Sequence, residues 1–394
     1  MPSIPTPSSG QPQQRPFNFY EFFSGGGMAR LGLGNGWKCQ FSNDWDIKKT
    51  AAYLENFAPA DEHHFGDIGE VKTNQLPHHV SLAWASFPCQ DLSLAGNGRG
   101  LAGDRSGVFW AFWELMQSLR SEGRRPPIIA LENVAGLISS HQGQDLCNLV
   151  KAFSEADYKV GAVLIDAALF LAQSRPRLFI IAVDNRVSIP STLVSNMPSP
   201  IWHPKKLCDV ILGADDSVRK NWLWWHLPRP ELSRTSLSEI IERVPEGVEW
   251  HSKEETERIL AMMSPTNKKK IDLAKGSSLV TYGTAYKRTR EGMQRLEVRF
   301  DGLSGCLRTP SGGSSRQIII AIENHEVKTR LISPRETARL MGLPDEYRLP
   351  RKYNDAYHLT GDGVAVPAVA WLGQHILSPL AIASEEIFHR TELQ

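Results

Sequence analysis

The stretch Phe17-Asn18-Phe19-Tyr20-Glu21-Phe22-Phe23-Ser24-Gly25-Gly26-Gly27-Met28 decides how the rest of the chain is read. Its apolar, aromatic first half reads as a buried strand. A serine and three glycines then lead into a helical pattern from Met28. A glycine-rich turn from strand to helix lets a ligand approach the backbone, and the helix N-terminus offers free N–H groups. A plain structural turn accounts for the glycines equally well, because the strict G-x-G-x-x-G spacing is absent.

Outward from this turn, apolar runs at 38–43, 80–85, 128–132, 159–165 and 177–183 alternate with helix-like stretches at 28–33 and 107–119. The alternation predicts an α/β fold with a parallel, Rossmann-like sheet. After Val183 the pattern changes. Prolines, a tryptophan cluster (Trp222, Trp224, Trp225), a polar helix around 253–263 and a basic, strand-like stretch predict a second, smaller α+β domain. The tryptophans are expected in that small domain's core. Strong helical patterns return at 334–341 and 366–376. The expected organisation is a disordered tail at 1–16, a catalytic and cofactor-binding domain at 17–183 plus 353–394, and a recognition domain with hinge at 184–352.

Composition narrows the class. Among 394 residues, 41% are hydrophobic and 22% charged, as in ordinary soluble globular proteins. No run approaches the ~18 apolar residues of a membrane span, and the first 16 residues lack the apolar region of a signal peptide. The five cysteines lie far apart without a CxxC pair, which argues against a disulfide framework or zinc site and fits a reducing cytoplasm. The pairs His63–His64 and His78–His79 lack ligand spacing, so no metal is expected. Net charge is only +1, but residues 268–330 hold thirteen Lys/Arg against six Asp/Glu. That local excess fits either nucleic-acid contact or a solvated face.

Functional groups cluster at strand ends, where open α/β sheets place their ligands. Asp44 follows Gly25 by 19 residues, the spacing at which an acid meets a ribose diol in Rossmann-like folds. Trp45 offers an aromatic face for a nucleobase, and Asp67 a carboxylate for its amino group. Cys89 follows Pro88 after the strand at 80–85, and Gly96, Gly98, Gly100 and Gly103 beyond it read as a lid. Glu132 leaves an apolar strand, where a carboxylate is costly unless paired. Arg175 and Arg177 begin the strand at 177–183. A nucleophile, an acid and two guanidinium groups thus share one sheet edge.

Phe87-Pro88-Cys89-Gln90, Glu132-Asn133-Val134 and Gln173-Ser174-Arg175-Pro176-Arg177, in this order, resemble the DNA cytosine-5 methyltransferase family of bacterial type. The likeness extends to Phe23-Ser24-Gly25-Gly26-Gly27, Ser42-Asn43-Asp44-Trp45-Asp46 and Asp104-Arg105-Ser106-Gly107. It resumes at Arg330-Leu331-Ile332-Ser333-Pro334-Arg335-Glu336, at 339–345 and at Gly361-Asp362-Gly363-Val364. The resemblance implies a Rossmann-like, S-adenosylmethionine-dependent domain with a smaller target-recognition domain in the variable region 184–325. It implies transfer of a methyl group to C5 of a cytosine flipped out of duplex DNA, releasing S-adenosylhomocysteine.

Residue by residue, the family implies Cys89 as nucleophile, Glu132 as the acid on the base, and Arg175, with Arg177, holding base and thiolate. The cofactor would meet Phe23, Ser24, Gly25, Gly27, Asp44, Trp45, Asp67, Ile68, Pro88, Val108, Asp362 and Val364. DNA would meet Gln90, Ser93, Arg105, Gln173, Arg308 and Thr309, together with Tyr286, Lys287, Arg288 and Arg290 of the aromatic–basic stretch. The family often has Gly-Asn-Ser where this chain has Gly361-Asp362-Gly363, and Asp and Ala where it has Glu21 and Ser24. Asp362 is expected either beside the ammonium of the methyl donor or as a cap of the helix near Val366. A monomer is expected, in the bacterial cytoplasm with the nucleoid, working alongside a restriction endonuclease. The alternatives are an RNA cytosine methyltransferase, a catalytically inactive DNA-binding regulator and, least in keeping with the motifs, a dehydrogenase.

Overall fold

The computed structural model describes residues 15–77, 79–87, 107–231, 235–290, 292–309 and 316–391. Nine strands form one sheet: β1 (Phe17–Phe22), β2 (Trp37–Asp44), β3 (His63–Phe65), β4 (Leu82–Ala85), β5 (Ile128–Val134), β6 (Tyr158–Asp166), β7 (Pro176–Asp184), β8 (Val194–Ser195) and β9 (Trp222–Trp225). Their order is β3-β2-β1-β4-β5-β7-β6-β9-β8. β4 is buried along its whole length and β5 along all but its last residue, as strands covered on both faces must be. Alternate residues feed two cores. Phe19, Leu82, Trp84 and Ile128 face one, and Tyr20, Ala83 and Ile129 face the other.

The sheet is mixed, where the alternation predicted a parallel one. β1 to β5 run parallel, but β7 is antiparallel to both β5 and β6. The cause lies in the connection. Only residues 167–175 join β6 to β7, with no crossover helix, and so short a link permits only an antiparallel return. The tryptophan cluster is core, but of the large sheet: Trp225 packs in one of its two layers and Trp222 in the other. β8 and β9 hydrogen-bond onto the β6 edge of that same sheet.

A second sheet holds β10 (Thr281–Arg290), β11 (Met293–Arg299), β12 (Ile318–Glu323) and β13 (Glu326–Leu331), in the order β11-β10-β12-β13. Its apolar face has a core of its own. Ala285, Leu296, Val298, Ile318, Ile320 and Ile322 pack there against Ile259, Met263 and Ile271 from the helical stretch before the sheet. The helices Pro334–Leu340, Tyr353–Asp362 and Val366–Leu372 then return to the first core. Val366–Leu372 crosses the helix Met28–Leu33 so closely that a Cβ on Gly32 would lie 2.5 Å from Val369 Cβ. Within the run Tyr353–Glu385 an 18-residue stretch is apolar enough to span a membrane, but half of that stretch is buried within the protein. Leu372, Ile376, Leu377 and Leu380 lie in the core of the large sheet.

Candidate active site

The glycine turn is built as the sequence requires. Phe23, Gly25 and Gly27 all have positive φ (56°, 54° and 74°). At Gly27 glycine is required on two counts, since a Cβ would also lie 2.2 Å from the Phe57 ring. At Gly25 a Cβ would meet nothing within 4 Å, so the turn opens onto free space. Ser24 is buried and its hydroxyl has no hydrogen-bond partner.

Asp44 is buried at the end of β2 and ties the strand end together. One carboxylate oxygen accepts from Gly25 N at 2.7 Å, and the other accepts from Asp46 N at 2.8 Å. Burial raises its pKa, and these two bonds, with Lys49 nearby, oppose the rise. Trp45 stands 71% exposed beside it, a free ring face next to the turn. Asp67 accepts from Gly69 N at 2.7 Å, capping a short turn whose Ile68 is core. Val108 starts the helix Val108–Ser121, and Val364 is buried in the first core. Open backbone at Gly25, an orphaned buried hydroxyl at Ser24 and an exposed aromatic at Trp45 suit a nucleoside-bearing cofactor.

On the next strands the chemistry concentrates. Glu132, 6% exposed, lies 3.0 Å from Arg177 Nε. Burial raises its pKa, while the charges of Arg177 and then Arg175 and a hydrogen bond with Ser86 pull it down. Beside it Asn133 Nδ2 donates to Phe87 O at 3.1 Å, anchoring the chain just before Pro88 and Cys89. Pro88, Cys89, Gln90, Ser93, Arg105 and the glycines expected to form a lid lie outside the described residues.

The two arginines part company. Arg175, expected on the base, is fully buried and its guanidinium is committed to backbone carbonyls. Nη1 donates to Leu307 O at 2.9 Å, and Nη2 to Gly361 O at 2.8 Å and Gly363 O at 2.6 Å. Burial, with Arg177 beside it, lowers its pKa to about 10, so it stays charged at neutral pH. Gln173, expected at the DNA, is fully buried too. Its amide donates to Leu340 O at 2.6 Å and accepts from Leu307 N at 3.0 Å, so it serves as an internal tie.

Of the remaining expected contacts, Arg308 is exposed, and Thr309 Oγ1 donates to Asp362. The side chain of Arg290 lies outside the described residues. Tyr286 and Arg288 sit on one face of β10, directly across from Glu297 and Arg295 of β11. Two arginines in register repel each other unless an anion lies between them. Arg295 and Lys270 also line a cleft of about 470 Å³.

Sequence reasoning missed Lys49, Ser86 and Cys306. Lys49 pairs with Asp362 at 2.7 Å. Its one signal is a lysine in the first turn of the helix that follows Asp44-Trp45-Asp46. Cys306 Sγ lies 3.4 Å from Arg175 Nη1, a contact across 131 residues that no local pattern announces.

The family profile of C-5 cytosine-specific DNA methylases matches residues 17–378. The chain is 26% identical over 375 residues to the type II methyltransferase M.HaeII of Haemophilus aegyptius, covering 95% of this chain and 96% of the relative. It is 26% identical over 366 residues to the type II methyltransferase M.HhaI of Haemophilus parahaemolyticus, covering 92% and 94%. Among solved structures, the Entamoeba histolytica methyltransferase EhMeth superposes with a TM-score of 0.59 at 13% identity, covering 93% of this chain and 99% of that one. A putative DNA modification methyltransferase encoded within an E. coli prophage superposes at 0.53 and 20% identity, covering 92% and 99%. These two likenesses show a shared methyltransferase fold. The profile match begins at the first strand of the large sheet and ends in the last helix packed against it, so the chain belongs to the family of C-5 cytosine-specific DNA methylases and is a cytosine-5 DNA methyltransferase.

Proposed function

We propose that the protein methylates C5 of a cytosine flipped out of a specific duplex sequence, through a covalent bond between Cys89 and C6 of the base. The observation that carries this reading is the buried Glu132–Arg177 pair beside the anchored entry to Cys89. Cytosine C5 is a weak nucleophile because the ring is aromatic and electron-poor. Thiolate addition at C6 breaks that aromaticity and makes C5 enamine-like. Glu132, with its raised pKa, is suited to hold a proton at N3 as electron density moves there. Arg177 fixes the Glu132 carboxyl and lends positive charge to the pocket. Loss of the C5 proton then expels the thiolate.

The family implies S-adenosylmethionine as cofactor, and when bound it supplies the electrophilic methyl group. The turn Phe23–Gly27, Asp44, Trp45 and Asp67 would hold it. The base is unreachable inside a duplex, so it must leave the stack at a cost of a few kcal/mol. Sequence choice falls to the second sheet, whose Arg288 and Arg295 face supports phosphate or base-edge contact. The type II methyltransferases among its relatives support a role in the bacterial cytoplasm alongside a restriction endonuclease. The RNA alternative is tested by offering both substrates.

Bisulfite sequencing of DNA from a methylation-free bacterial host expressing the protein tests the activity and maps its target. The covalent step is tested with duplex DNA carrying 5-fluorocytosine at the mapped position. Fluorine cannot leave as a proton does, so wild type is expected to form a denaturation-resistant adduct and Cys89→Ala none. Turnover by Cys89→Ala at the wild-type rate ends this mechanism.

A further inference from the structure

Three segments distant in sequence meet at Asp362, the last residue of the helix Tyr353–Asp362. One carboxylate oxygen is 2.7 Å from Lys49 Nζ, and the other accepts from Thr309 Oγ1. Lys49 lies in the first turn of the helix Ile47–Phe57, directly after the Asp44-Trp45-Asp46 strand end. Thr309 lies in the segment after β11, which the family resemblance assigns to DNA contact.

The backbone is clamped at the same point. Arg175 holds the carbonyls of Gly361 and Gly363, on either side of Asp362, and also that of Leu307. Close approach is built in as well, since a Cβ on Gly361 would lie 3.3 Å from Thr309 N and 3.4 Å from the Arg308 carbonyl carbon. Asp362 does not cap the next helix. That place falls to Ala365, and no side chain caps it. Its carboxylate oxygens are engaged by Lys49 and Thr309.

We propose that Asp362 is a positioning residue that couples occupancy of the cofactor end to placement of the DNA-recognition segment, through Lys49 on one side and Thr309 on the other. This rests on the function proposed above. Lys49 faces three carboxylates, those of Asp362, Asp44 and Asp46. A ligand that engages Asp44 changes the field on Lys49, and Lys49 holds Asp362, which holds Thr309. An asparagine at 362 keeps an acceptor for Thr309 but gives Lys49 no charge partner there, so the link depends on the acid. Thermodynamic linkage makes the effect reciprocal, so DNA seated against Thr309 must tighten the cofactor end by the same factor.

The test is calorimetric titration of S-adenosylhomocysteine, with and without a short duplex carrying the mapped target. Wild type is expected to bind at least ~5-fold tighter in the presence of duplex, the lower end of ordinary coupling. Asp362→Asn, Thr309→Val and Lys49→Met are each expected to bring that ratio below about twofold, while Lys49→Arg, which restores the cation, keeps it. Melting temperature is followed for each variant, and Thr309→Val carries the test should Asp362→Asn fold poorly. Ratios unchanged from wild type in all three disruptive variants overturn the proposal. So does a wild type that methylates DNA but shows no coupling, which leaves the proposed function standing. A wild type that neither binds S-adenosylhomocysteine nor methylates overturns the function and the coupling with it.

Discussion

Arg177 and Glu132 form a diagonal pair across neighbouring antiparallel strands. Register sets Glu132 opposite Phe179 and Val134 opposite Arg177, which puts both charged side chains on one face. The guanidinium Nε closes to 3.0 Å from the carboxylate there. Diagonal neighbours on a sheet are within reach of long side chains, so the pleat itself presents this acid already paired.

Glu132→Gln is expected to lower the single-turnover rate by at least ~10²-fold, with little effect on DNA affinity. The pH profile supplies a second check. If protonated Glu132 is the active form, the rate falls as pH rises through its raised pKa. Arg177 pulls that pKa down, so Arg177→Met is expected to move the basic limb to higher pH while lowering the maximum rate. A limb that moves to lower pH contradicts the assignment.

Arg175→Met is expected to act on stability as well as on rate. It strips the carbonyls of Leu307, Gly361 and Gly363 of a charged donor inside the protein. Each buried carbonyl left without its donor costs about 1–3 kcal/mol, offset in part because a guanidinium is no longer held out of water. Chemical denaturation of Arg175→Met and Arg177→Met side by side checks the division of labour, with Arg177→Met expected to lose much less.

Glu21 is a buried acid in β1. One of its oxygens accepts from Arg30 N at 3.3 Å and the other has no partner. Burial pushes its pKa up to about 8. A carboxyl whose folded pKa lies above its unfolded value binds an extra proton in the native state. Its contribution is therefore complete below about pH 4 and is lost as pH rises toward 8. Glu21→Gln is expected to raise the melting temperature relative to wild type at pH 8.5 and to narrow that gain at pH 6. Thermal scans across that interval decide it.

Arg330 and Glu336 are both fully buried and pair through two hydrogen bonds of 2.7 and 2.6 Å, joining β13 to the helix Pro334–Leu340. Glu336 also accepts from Ser333 N and Glu242 N. Removing either partner alone leaves an uncompensated buried charge, and Arg330→Met or Glu336→Gln is expected to cost about 3–5 kcal/mol. The double replacement is expected to cost less than the sum of the two, as a double-mutant cycle in urea will show.

Arg288 faces Arg295 directly across β10 and β11. Arg288→Gln is expected to leave stability unchanged or slightly improved, because the repulsion is relieved. If Arg288 meets a phosphate, DNA affinity falls alike on all sequences and the salt slope shallows by ~1. Relaxed choice at one base pair marks a base-edge contact instead. Unchanged DNA binding removes Arg288 from the interface.

Much of the molecule was legible locally. Phe17–Gly27 declares a strand and a turn, because its aromatic-rich first half suits a buried strand and the three glycines that follow suit a tight turn into a helix. Glu132 and Arg177 drew attention as charged residues in otherwise apolar strands, and the structure pairs them at 3.0 Å. Tertiary structure decided what depends on partners far along the chain. Which arginine faces Glu132 was settled by the register of β5 against β7, since a change of strand direction reassigns every neighbour without altering the local pattern. The roles of Gln173 and Arg175 turned on backbone groups more than 130 residues away, and those of Lys49 and Asp362 on each other across 313 residues. Periodicity records which face of an element is buried, but a hydrogen bond between distant segments leaves no trace in it. Those ties exist only once the second sheet and the late helices have closed back on the first core.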